Sequence, residues 1–441
     1  MRPIPSRLVR GGSGWGRSYN RATVEGDPAA LPREACEALD RRDPLASLRR
    51  RFRLPPETIY LDGNSLGALP RTTPDRIGDL VGDEWGRDLV ASWNRHGWFR
   101  MAERVGAMLA PLLGVRPDEV IAADSVSLNL FKLLGAHLRR AGDRRILLAE
   151  TGNFPTDLYM AEGLAALLES SGARLRLVAP GDFAAALGPD VAVATLTQVD
   201  FRTGRKRNLA RLTRSAAAHG VPLVWDLSHS AGAFPLHLAA DGAAFAVGCG
   251  YKYLNGGPGA PGFVYVAKPW QDRLAPVLCG WMGHARPFAF ETRYEPAPGI
   301  RRFLTGTPPI LSLAALAEGV ATFEGVDLDA LEGKAGRLGD LFLRLAGERL
   351  AAFGVRSASP GNAGDRGSQV SLRHPEAYPV MQALIAGGVV GDFREPDILR
   401  FGFAPLYVRY TDIWDAVDRL HSVLASGAWR GSRFRRRRAV T

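Results

Sequence analysis

Residues 224–233 read Val-Trp-Asp-Leu-Ser-His-Ser-Ala-Gly-Ala, and residues 248–259 read Gly-Cys-Gly-Tyr-Lys-Tyr-Leu-Asn-Gly-Gly-Pro-Gly. The first stretch places a carboxylate, Asp226, at the end of an apolar run. The second places an amine, Lys252, between an apolar run and a glycine loop. Because small residues follow the lysine, a ligand can come close to the backbone there. The pattern predicts a partly buried acid and a reactive amine at the ends of two strands.

Working outward, short apolar runs alternate with helical patterns between about residues 118 and 266. Strands are expected at 119–123, 145–149, 174–178, 191–196, 222–225, 245–247 and 263–266, and helices at 128–138, 157–171 and 209–219. Near-continuous apolar strands between helices predict an α/β fold whose mainly parallel sheet is covered on both faces. Ligands of such sheets gather at the carboxyl ends of the strands. The residues expected to converge there are Asp124, Glu150, Thr197, Asp226 and Tyr251.

A smaller α+β domain is expected after about residue 320. The pattern predicts a helix at 328–350, strands near 355 and 369–372, a helix at 378–386, a strand at 398–403 and a helix at 411–424. The expected segments are a disordered basic extension (1–28), a helix and loop segment that packs with the small domain (29–100), the large domain (101–320), the small domain (321–428) and a disordered Arg-rich tail (429–441).

The net charge of +11 belongs to the two ends of the chain. Residues 1–22 and 430–441 hold eleven arginines and no acid, so the rest of the chain carries 45 basic and 45 acidic residues. One hypothesis is therefore a polyanion-binding protein that acts through its arginine tails, although such contacts would be weak and salt-dependent. A solvated charge run is the simpler interpretation. We expect no specific nucleic-acid partner, and the absence of any apolar run of membrane-spanning length predicts no membrane association.

Three cysteines, Cys36, Cys249 and Cys279, are scattered along the chain. Their odd number and irregular spacing indicate neither a disulfide framework nor a metal site. We therefore predict a protein of the reducing cytoplasm that has no bound metal.

The choice of a reactive lysine is narrow, because the chain has only Lys132, Lys206, Lys252, Lys268 and Lys334. Lys132 and Lys334 lie in amphipathic helical patterns, which are typical of solvated lysines. Lys206 lies in a basic turn, and Lys268 precedes a proline. Lys252 and Asp226 together provide what pyridoxal phosphate (PLP) requires: an amine to bond its aldehyde and an acid to keep its pyridine nitrogen protonated.

Two loops after strands offer further cofactor contacts. In the loop 124–129, Ser125 or Ser127 could simply cap the following helix, but helix N-terminal N–H groups and hydroxyls also suit a phosphate. Phe154 could belong to the core or stack on a pyridine ring. Asp157 could be no more than a helix cap.

The neighbours of the acid and the amine leave alternatives open. His229 could cap, pack or orient Asp226. Adjacent side chains of a strand point to opposite faces, so Tyr251 and Lys252 share a site only if the chain turns there. The flanking glycines permit that turn, and Tyr251 would then be a phosphate ligand or a proton donor.

Several long motifs resemble those of the kynureninases, which are PLP-dependent hydrolases of the aspartate-aminotransferase-like fold type I. Besides the two opening stretches, the matching motifs are 60–67 (YLDGNSLG), 153–159 (NFPTDLY), 280–284 (GWMGH), 305–310 (TGTPPI) and 399–407 (LRFGFAPLY). The resemblance implies hydrolysis of L-kynurenine to anthranilate and L-alanine by cleavage of the Cβ–Cγ bond.

The resemblance also implies roles for the residues around the cofactor. Lys252 would bond the cofactor and move protons, Asp226 would hold the pyridinium with support from His229, and Phe154 would stack on the ring. Tyr251 would touch the phosphate and serve as an acid. The remaining cofactor contacts of the same subunit would be Val126, Ser127, Asp157 and Thr197.

Substrate binding and assembly follow from the same resemblance. Arg400 would clamp the substrate α-carboxylate in bidentate fashion, which a lysine does poorly. Ser65 and His96 would flank the aryl group, and Asn64 would also belong to the substrate site. Trp281 and Thr307 would reach the cofactor of the neighbouring subunit, which implies a homodimer with shared active sites.

Substrate preference is expected to depend on Thr307. Members of the family that prefer 3-hydroxykynurenine usually have asparagine where this chain has Thr307. We therefore predict a preference for unsubstituted kynurenine.

Two rival enzyme hypotheses can be weighed on the sequence. Another fold-type I PLP enzyme, such as a cysteine desulfurase, needs a mobile nucleophilic cysteine late in the chain, and no cysteine follows Cys279. A catalytically inactive family member is disfavoured because Lys252, Asp226 and Arg400 are all present.

Overall fold

A computed structural model describes residues 31–437. The predicted basic extension at 1–28 lies outside the described residues, as does the end of the tail at 438–441. The strands are β1 (Phe52–Arg53), β2 (Ile59–Tyr60), β3 (Leu69–Pro70), β4 (Val120–Ala122), β5 (Ile146–Glu150), β6 (Arg174–Val178), β7 (Val191–Thr197), β8 (Leu223–Asp226), β9 (Phe245–Cys249), β10 (Gly262–Val266), β11 (Arg356–Ser357), β12 (Gln369–Arg373), β13 (Val389–Val390), β14 (Asp392–Arg394) and β15 (Ile398–Gly402). The helices are α1 (Arg33–Arg42), α2 (Thr73–Asp79), α3 (Ser92–Arg95), α4 (Met101–Leu113), α5 (Val126–Arg140), α6 (Pro155–Leu167), α7 (Leu209–Ala218), α8 (Lys268–Gln271), α9 (Ile310–Ala321), α10 (Leu328–Leu350), α11 (Ala377–Ala386), α12 (Tyr410–Ser426) and α13 (Ser432–Arg435).

A seven-stranded sheet forms the centre of the molecule, in the order β4-β10-β9-β8-β7-β5-β6. Only β10 runs antiparallel to its neighbours, so the predicted mainly parallel sheet is confirmed. Every residue of β7, β8 and β9 is buried, which matches the apolar runs of the sequence. The parallel strands β7, β8 and β9 therefore bring their carboxyl ends to one edge of the sheet.

A second, antiparallel sheet of four strands has the order β11-β12-β15-β14. Helices α10 and α11 pack against its strands, and α12 packs against both helices. The N-terminal segment joins this part of the molecule, because β2 pairs with β13 and α1 packs against α12. The sequence pattern missed β13 and β14, which are only two and three residues long.

The described part of the C-terminal tail is ordered, so the prediction of a disordered tail from residue 429 is wrong for residues 429–437. Helix α13 packs against α11 and buries Phe434. Arg435 pairs with Glu376, and Arg437 pairs with Glu395. The pattern of charge suggested a solvated run because it did not reveal the acids, distant in sequence, that the tail meets.

Two lysines expected in solvent are buried instead. Lys132 of α5 pairs with Asp124 and also donates to the carbonyl oxygen of Phe303, at 2.6 Å. Lys334 of α10 pairs with Asp43, at 2.7 Å. The helical pattern could not predict either partner, since the carboxylates come from other segments.

Candidate active site

A cavity of about 160 Å³, open to solvent, lies at the carboxyl ends of β7, β8 and β9. Its lining comprises Ser125, Val126, Ser127, Phe154, Thr156, Asp157, Thr197, Phe201, Asp226, Ser228, His229, Cys249, Tyr251, Lys252, Ala260 and Gly262. Nine of the predicted site residues therefore share one cavity: Val126, Ser127, Phe154, Asp157, Thr197, Asp226, His229, Tyr251 and Lys252.

Two of the five strand-end residues expected there do not line the cavity. Asp124 is paired with Lys132 and accepts from the Thr305 hydroxyl at 3.2 Å. Glu150 is paired with Arg207, whose Nε lies 3.2 Å from Oε2. Each of these carboxylates thus has a cation of its own.

Asp226 is buried at the end of β8, and its carboxylate is held by the turn that follows. Its Oδ1 accepts hydrogen bonds from the Ser228 backbone N–H at 2.9 Å and from the Ser228 hydroxyl at 2.6 Å. The expected support from His229 is not found as a hydrogen bond between the described residues. Instead His229 Nδ1 lies 2.8 Å from Oε1 of Gln369, on β12.

Asp157 lies beside Asp226 as a second buried acid. Helix α6 begins at Pro155, so Asp157 lies inside its first turn and is not its cap. The Thr197 hydroxyl donates to Asp157 Oδ2 at 3.2 Å. Burial, followed by the negative charge of Asp226, raises the pKa of Asp157 well above its ordinary value. Burial beside a second acid therefore favours the protonated form of Asp157.

Lys252 differs from every other lysine of the chain. The other four form ion pairs: Lys132 with Asp124, Lys206 with Glu332, Lys268 with Asp118, and Lys334 with Asp43. Within residues 31–437, the Lys252 amine has neither a hydrogen-bond partner nor an ion-pair partner. It lies 5.7 Å from the centroid of the Phe154 ring, and it is half-buried in the cavity wall. An amine left unpaired in a cavity is free to react.

The turn that the flanking glycines permit at Tyr251 and Lys252 is present, since β9 ends at Cys249 and both side chains line the cavity. A Cβ on Gly250 would lie 2.4 Å from the carbonyl oxygen of Pro261, so a side chain there would prevent the close approach of the two segments. Burial raises the pKa of the Tyr251 hydroxyl, which therefore keeps its proton at neutral pH.

Cys249 also lines the cavity, although the sequence did not single it out. Burial raises the pKa of its thiol, and its Sγ lies 3.8 Å from the carbonyl oxygen of Ser228. A thiol that stays protonated is a poor nucleophile, so this cysteine does not suit the desulfurase hypothesis.

The loop before α5 presents a helix N-terminus to the cavity. The Ser125 hydroxyl caps the helix by accepting from the backbone N–H of Leu128 at 3.4 Å, which resolves the choice between Ser125 and Ser127. Val126 and Ser127 line the cavity as the first residues of α5. Their position leaves N–H groups and the Ser127 hydroxyl available to an anion.

Arg400 lies outside the cavity lining and is almost completely buried on β15. Its Nε donates to Asp392 Oδ1 at 2.7 Å, and Nη2 also contacts Asp392. Its Nη1 donates to the carbonyl oxygen of Phe201, a cavity residue, at 2.6 Å. Ser65, expected near the substrate aryl group, is 3.0 Å from Nη2 and so belongs to this network.

The other predicted substrate and partner-site residues also lie outside the cavity. Asn64 is fully buried against Gly402, and a Cβ there would clash with its amide. His96 is held by Asp88, whose Oδ2 lies 2.7 Å from Nε2. Trp281 and Thr307 are exposed.

Sequence reasoning missed three polar residues that hold the site: Ser228, Gln369 and Asp392. Ser228 could have been found, because a serine two residues after a strand-end acid commonly bonds back to it. Gln369 contacts His229, which is distant in sequence. Asp392 contacts Arg400, which lies on another strand. No local pattern marks them.

Within residues 31–437, no three or more His, Cys, Asp and Glu side chains are grouped to hold a metal ion. The three cysteines are free. Over the same residues, no helix combines the length and the apolar character needed to cross a membrane.

Comparison with known proteins places this site in a family. Residues 331–420 match the model of the kynureninase C-terminal domain, and residues 169–374 match that of class-V aminotransferases. A kynureninase of Burkholderia mallei (strain SAVP1) is 49% identical over 93% of this chain and 99% of its own length. A kynureninase of Deinococcus radiodurans is 51% identical over 90% of this chain and 97% of its own. The chain belongs to the kynureninase family.

Solved structures support the fold of this kynureninase-family chain. An apo cysteine desulfurase of Thermococcus onnurineus NA1 matches with a TM-score of 0.71 at 18% identity, covering 86% of this chain and 98% of its own. A C-DES mutant with glycine covalently linked to its PLP cofactor matches with a TM-score of 0.70 at 17% identity, covering 85% and 98%. These likenesses confirm the predicted aminotransferase-like fold. They do not indicate which reaction the protein catalyses.

Proposed function

We propose that this protein is a kynureninase, a PLP-dependent hydrolase that cleaves the Cβ–Cγ bond of L-kynurenine to give anthranilate and L-alanine. The observation that carries the proposal is the unpaired amine of Lys252 in a cavity that also contains Asp226. Identity of about one half to curated kynureninases over nearly the whole chain supports the choice of reaction. Neither the desulfurase hypothesis nor the polyanion hypothesis is favoured.

The donor set of the cavity fits PLP. Lys252 supplies the amine that bonds the cofactor aldehyde, and Asp226 supplies the acid for the pyridine nitrogen. Phe154 offers a ring face beside the amine. The N-terminus of α5 with Ser127, together with the Tyr251 hydroxyl, suits the phosphate. Asp157, which accepts a hydrogen bond from Thr197, lies beside Asp226.

The chain's own groups then act on the substrate. When bound, PLP supplies an electron-withdrawing ring that stabilises negative charge next to the substrate amine. Lys252 Nζ is free to take the Cα proton. The Tyr251 hydroxyl remains protonated and can donate its proton to the Cγ carbonyl as water adds. It takes a proton back from the hydrated carbonyl when the Cβ–Cγ bond breaks, and can then donate that proton to Cβ. Addition of water to Cγ followed by bond cleavage releases anthranilate and alanine.

The direct test is product analysis. The purified protein with PLP and L-kynurenine is expected to release anthranilate, followed by its fluorescence, and alanine in equal amounts. Release of alanine from cysteine, without anthranilate from kynurenine, would contradict the proposal. A variant that lacks residues 1–22 distinguishes the kynureninase proposal from the polyanion hypothesis. The enzyme is expected to keep its activity without these residues.

We infer a preference for unsubstituted kynurenine from Thr307. The expectation is a higher kcat/KM for L-kynurenine than for its 3-hydroxy derivative, and a shift toward the hydroxylated substrate in the Thr307→Asn variant. A wild type that clearly favours the hydroxylated substrate would refute this inference.

We also propose a cytoplasmic homodimer in which Trp281 and Thr307 complete the neighbouring active site. Trp281 contacts Phe288, which in turn contacts Phe290. Both phenylalanines lie at the surface, since Phe288 is 61% exposed and Phe290 is 80% exposed. An exposed aromatic group of this kind is typical of an interface. Mixing inactive Lys252→Ala subunits with inactive Trp281→Ala subunits should restore part of the activity, whereas a shared site is excluded if the mixture stays inactive although the subunits exchange.

A further inference from the structure

We infer that Asp392 is a positioning residue for substrate binding: it fixes which edge of the Arg400 guanidinium faces the substrate carboxylate. The inference rests on the proposed function and deepens it. Asp392 and Arg400 lie directly opposite each other in the antiparallel pair of β14 and β15. Both side chains are buried.

The contacts of Arg400 determine which of its donors remain free. One edge of the guanidinium, formed by Nε and Nη2, is occupied by the two oxygens of Asp392. Nη1 donates to the carbonyl oxygen of Phe201, a residue that also lines the cavity. Nη2 also donates to the Ser65 hydroxyl at 3.0 Å. A bidentate clamp through the end formed by Nη1 and Nη2 therefore requires the substrate carboxylate to replace Ser65 as the second acceptor of Nη2.

Two further groups hold Asp392 itself. The Ser65 hydroxyl donates to its Oδ2 at 2.6 Å, and Arg394 Nη2 donates to the same oxygen at 2.8 Å. The neighbouring arginines Arg394 and Arg400 keep the pKa of Asp392 below its ordinary value against the opposing effect of burial. Asp392 thus stays ionised and keeps Arg400 in one orientation. Because a preoriented cation loses less entropy on binding an anion, removal of Asp392 should weaken carboxylate binding.

The kinetic test compares wild type with the Asp392→Asn variant. The KM for L-kynurenine is expected to rise roughly tenfold or more, as for loss of a hydrogen bond to a charged group, while kcat changes little. The Asp392→Glu variant should recover part of the loss. The control is Asp397→Asn, which removes the partner of the half-exposed Arg373 on the neighbouring strand and should leave KM unchanged. In the Arg400→Lys background, adding Asp392→Asn should cost little more.

A binding test separates positioning from a general structural role. L-Alanine and ethylamine differ by one carboxylate, and the absorbance of the cofactor in the PLP-loaded protein is used to follow the binding of each. Asp392→Asn should weaken binding of L-alanine and leave ethylamine unaffected. Equal weakening of both probes, or of neither, would overturn the inference. If wild type binds alanine in this Asp392-dependent way yet releases no anthranilate, the proposed function fails and the inference stands.

Discussion

The cavity and the hydrogen-bond network around Arg400 each contain a basic side chain, but the two side chains differ in their polar contacts. In the cavity, the Lys252 amine lies beside Phe154 and has no polar partner within residues 31–437. In the network, Arg400 contacts Asp392, Ser65 and Phe201. A group that must form a covalent bond has to be left free, whereas a group that must hold an anion gains from a fixed orientation.

The largest effect is expected at the unpaired amine. In the Lys252→Ala variant, turnover of L-kynurenine should fall on the order of 10⁴-fold or more, as when a covalent catalyst is removed. The fold should persist, which circular dichroism checks. Lys206→Ala, which removes an amine paired with Glu332, serves as the control and should stay active. Comparable losses of turnover in the two variants would contradict the proposal that the unpaired lysine has a catalytic role that the paired lysine lacks.

A paired lysine should instead matter for stability. In the Lys132→Met variant, loss of the buried partner of Asp124 should lower the free energy of unfolding by about 3 kcal/mol. The exposed pair between Lys268 and Asp118 gives the matched control, and Lys268→Met should cost about 1 kcal/mol or less. Urea denaturation measures both, and equally small losses would contradict the role of burial.

The acid of the cavity should have a smaller effect on rate than the amine. Asp226→Asn keeps the shape but not the charge, and kcat should fall roughly 10²-fold, as for loss of one electrostatic contact in a site. Glu150→Gln changes another strand-end carboxylate, outside the cavity, and should have little effect on kcat. If Asp226→Asn keeps full activity, the assignment of the pyridine partner is wrong.

A pH-dependent effect on stability is expected from Asp62, next to the Arg400 network. Burial and the charge of Asp392 raise the pKa of Asp62 to about 8. Since this pKa lies above its unfolded value, the stability contributed by the protonated carboxyl is lost as the pH rises from about 4 to about 8. Wild type should therefore lose more stability than Asp62→Asn between these values.

Denaturation midpoints at both pH values check this prediction, with the exposed Asp143→Asn variant as control. The same pH dependence in wild type and in Asp62→Asn would show that Asp62 is already ionised in the folded protein.

Local patterns predicted the central sheet and the cavity because both depend on short-range features. We could recognise the apolar runs of β7, β8 and β9, and the residues that follow them, without knowing which segments they pack against. The Arg400 network could not be predicted, because Asp392 lies on a three-residue strand that is defined by its pairing with β15.

The burial of Lys132 and Lys334 was missed for a related reason. An amphipathic pattern reports which face of a helix is apolar, and it does not report a carboxylate that arrives from another segment. His229 lines the predicted cavity, but its hydrogen-bond partner Gln369, on β12 of the small sheet, could not be predicted from a local pattern.

The most direct test of the account is to identify the amine that holds the cofactor. The protein loaded with PLP is reduced with borohydride, digested, and searched by mass spectrometry for the peptide that carries the pyridoxyl group. The account predicts that the group is found on the peptide containing Lys252 and that the Lys252→Ala variant is not labelled. A label on Lys132, Lys206, Lys268 or Lys334, or an unlabelled wild type, would contradict it.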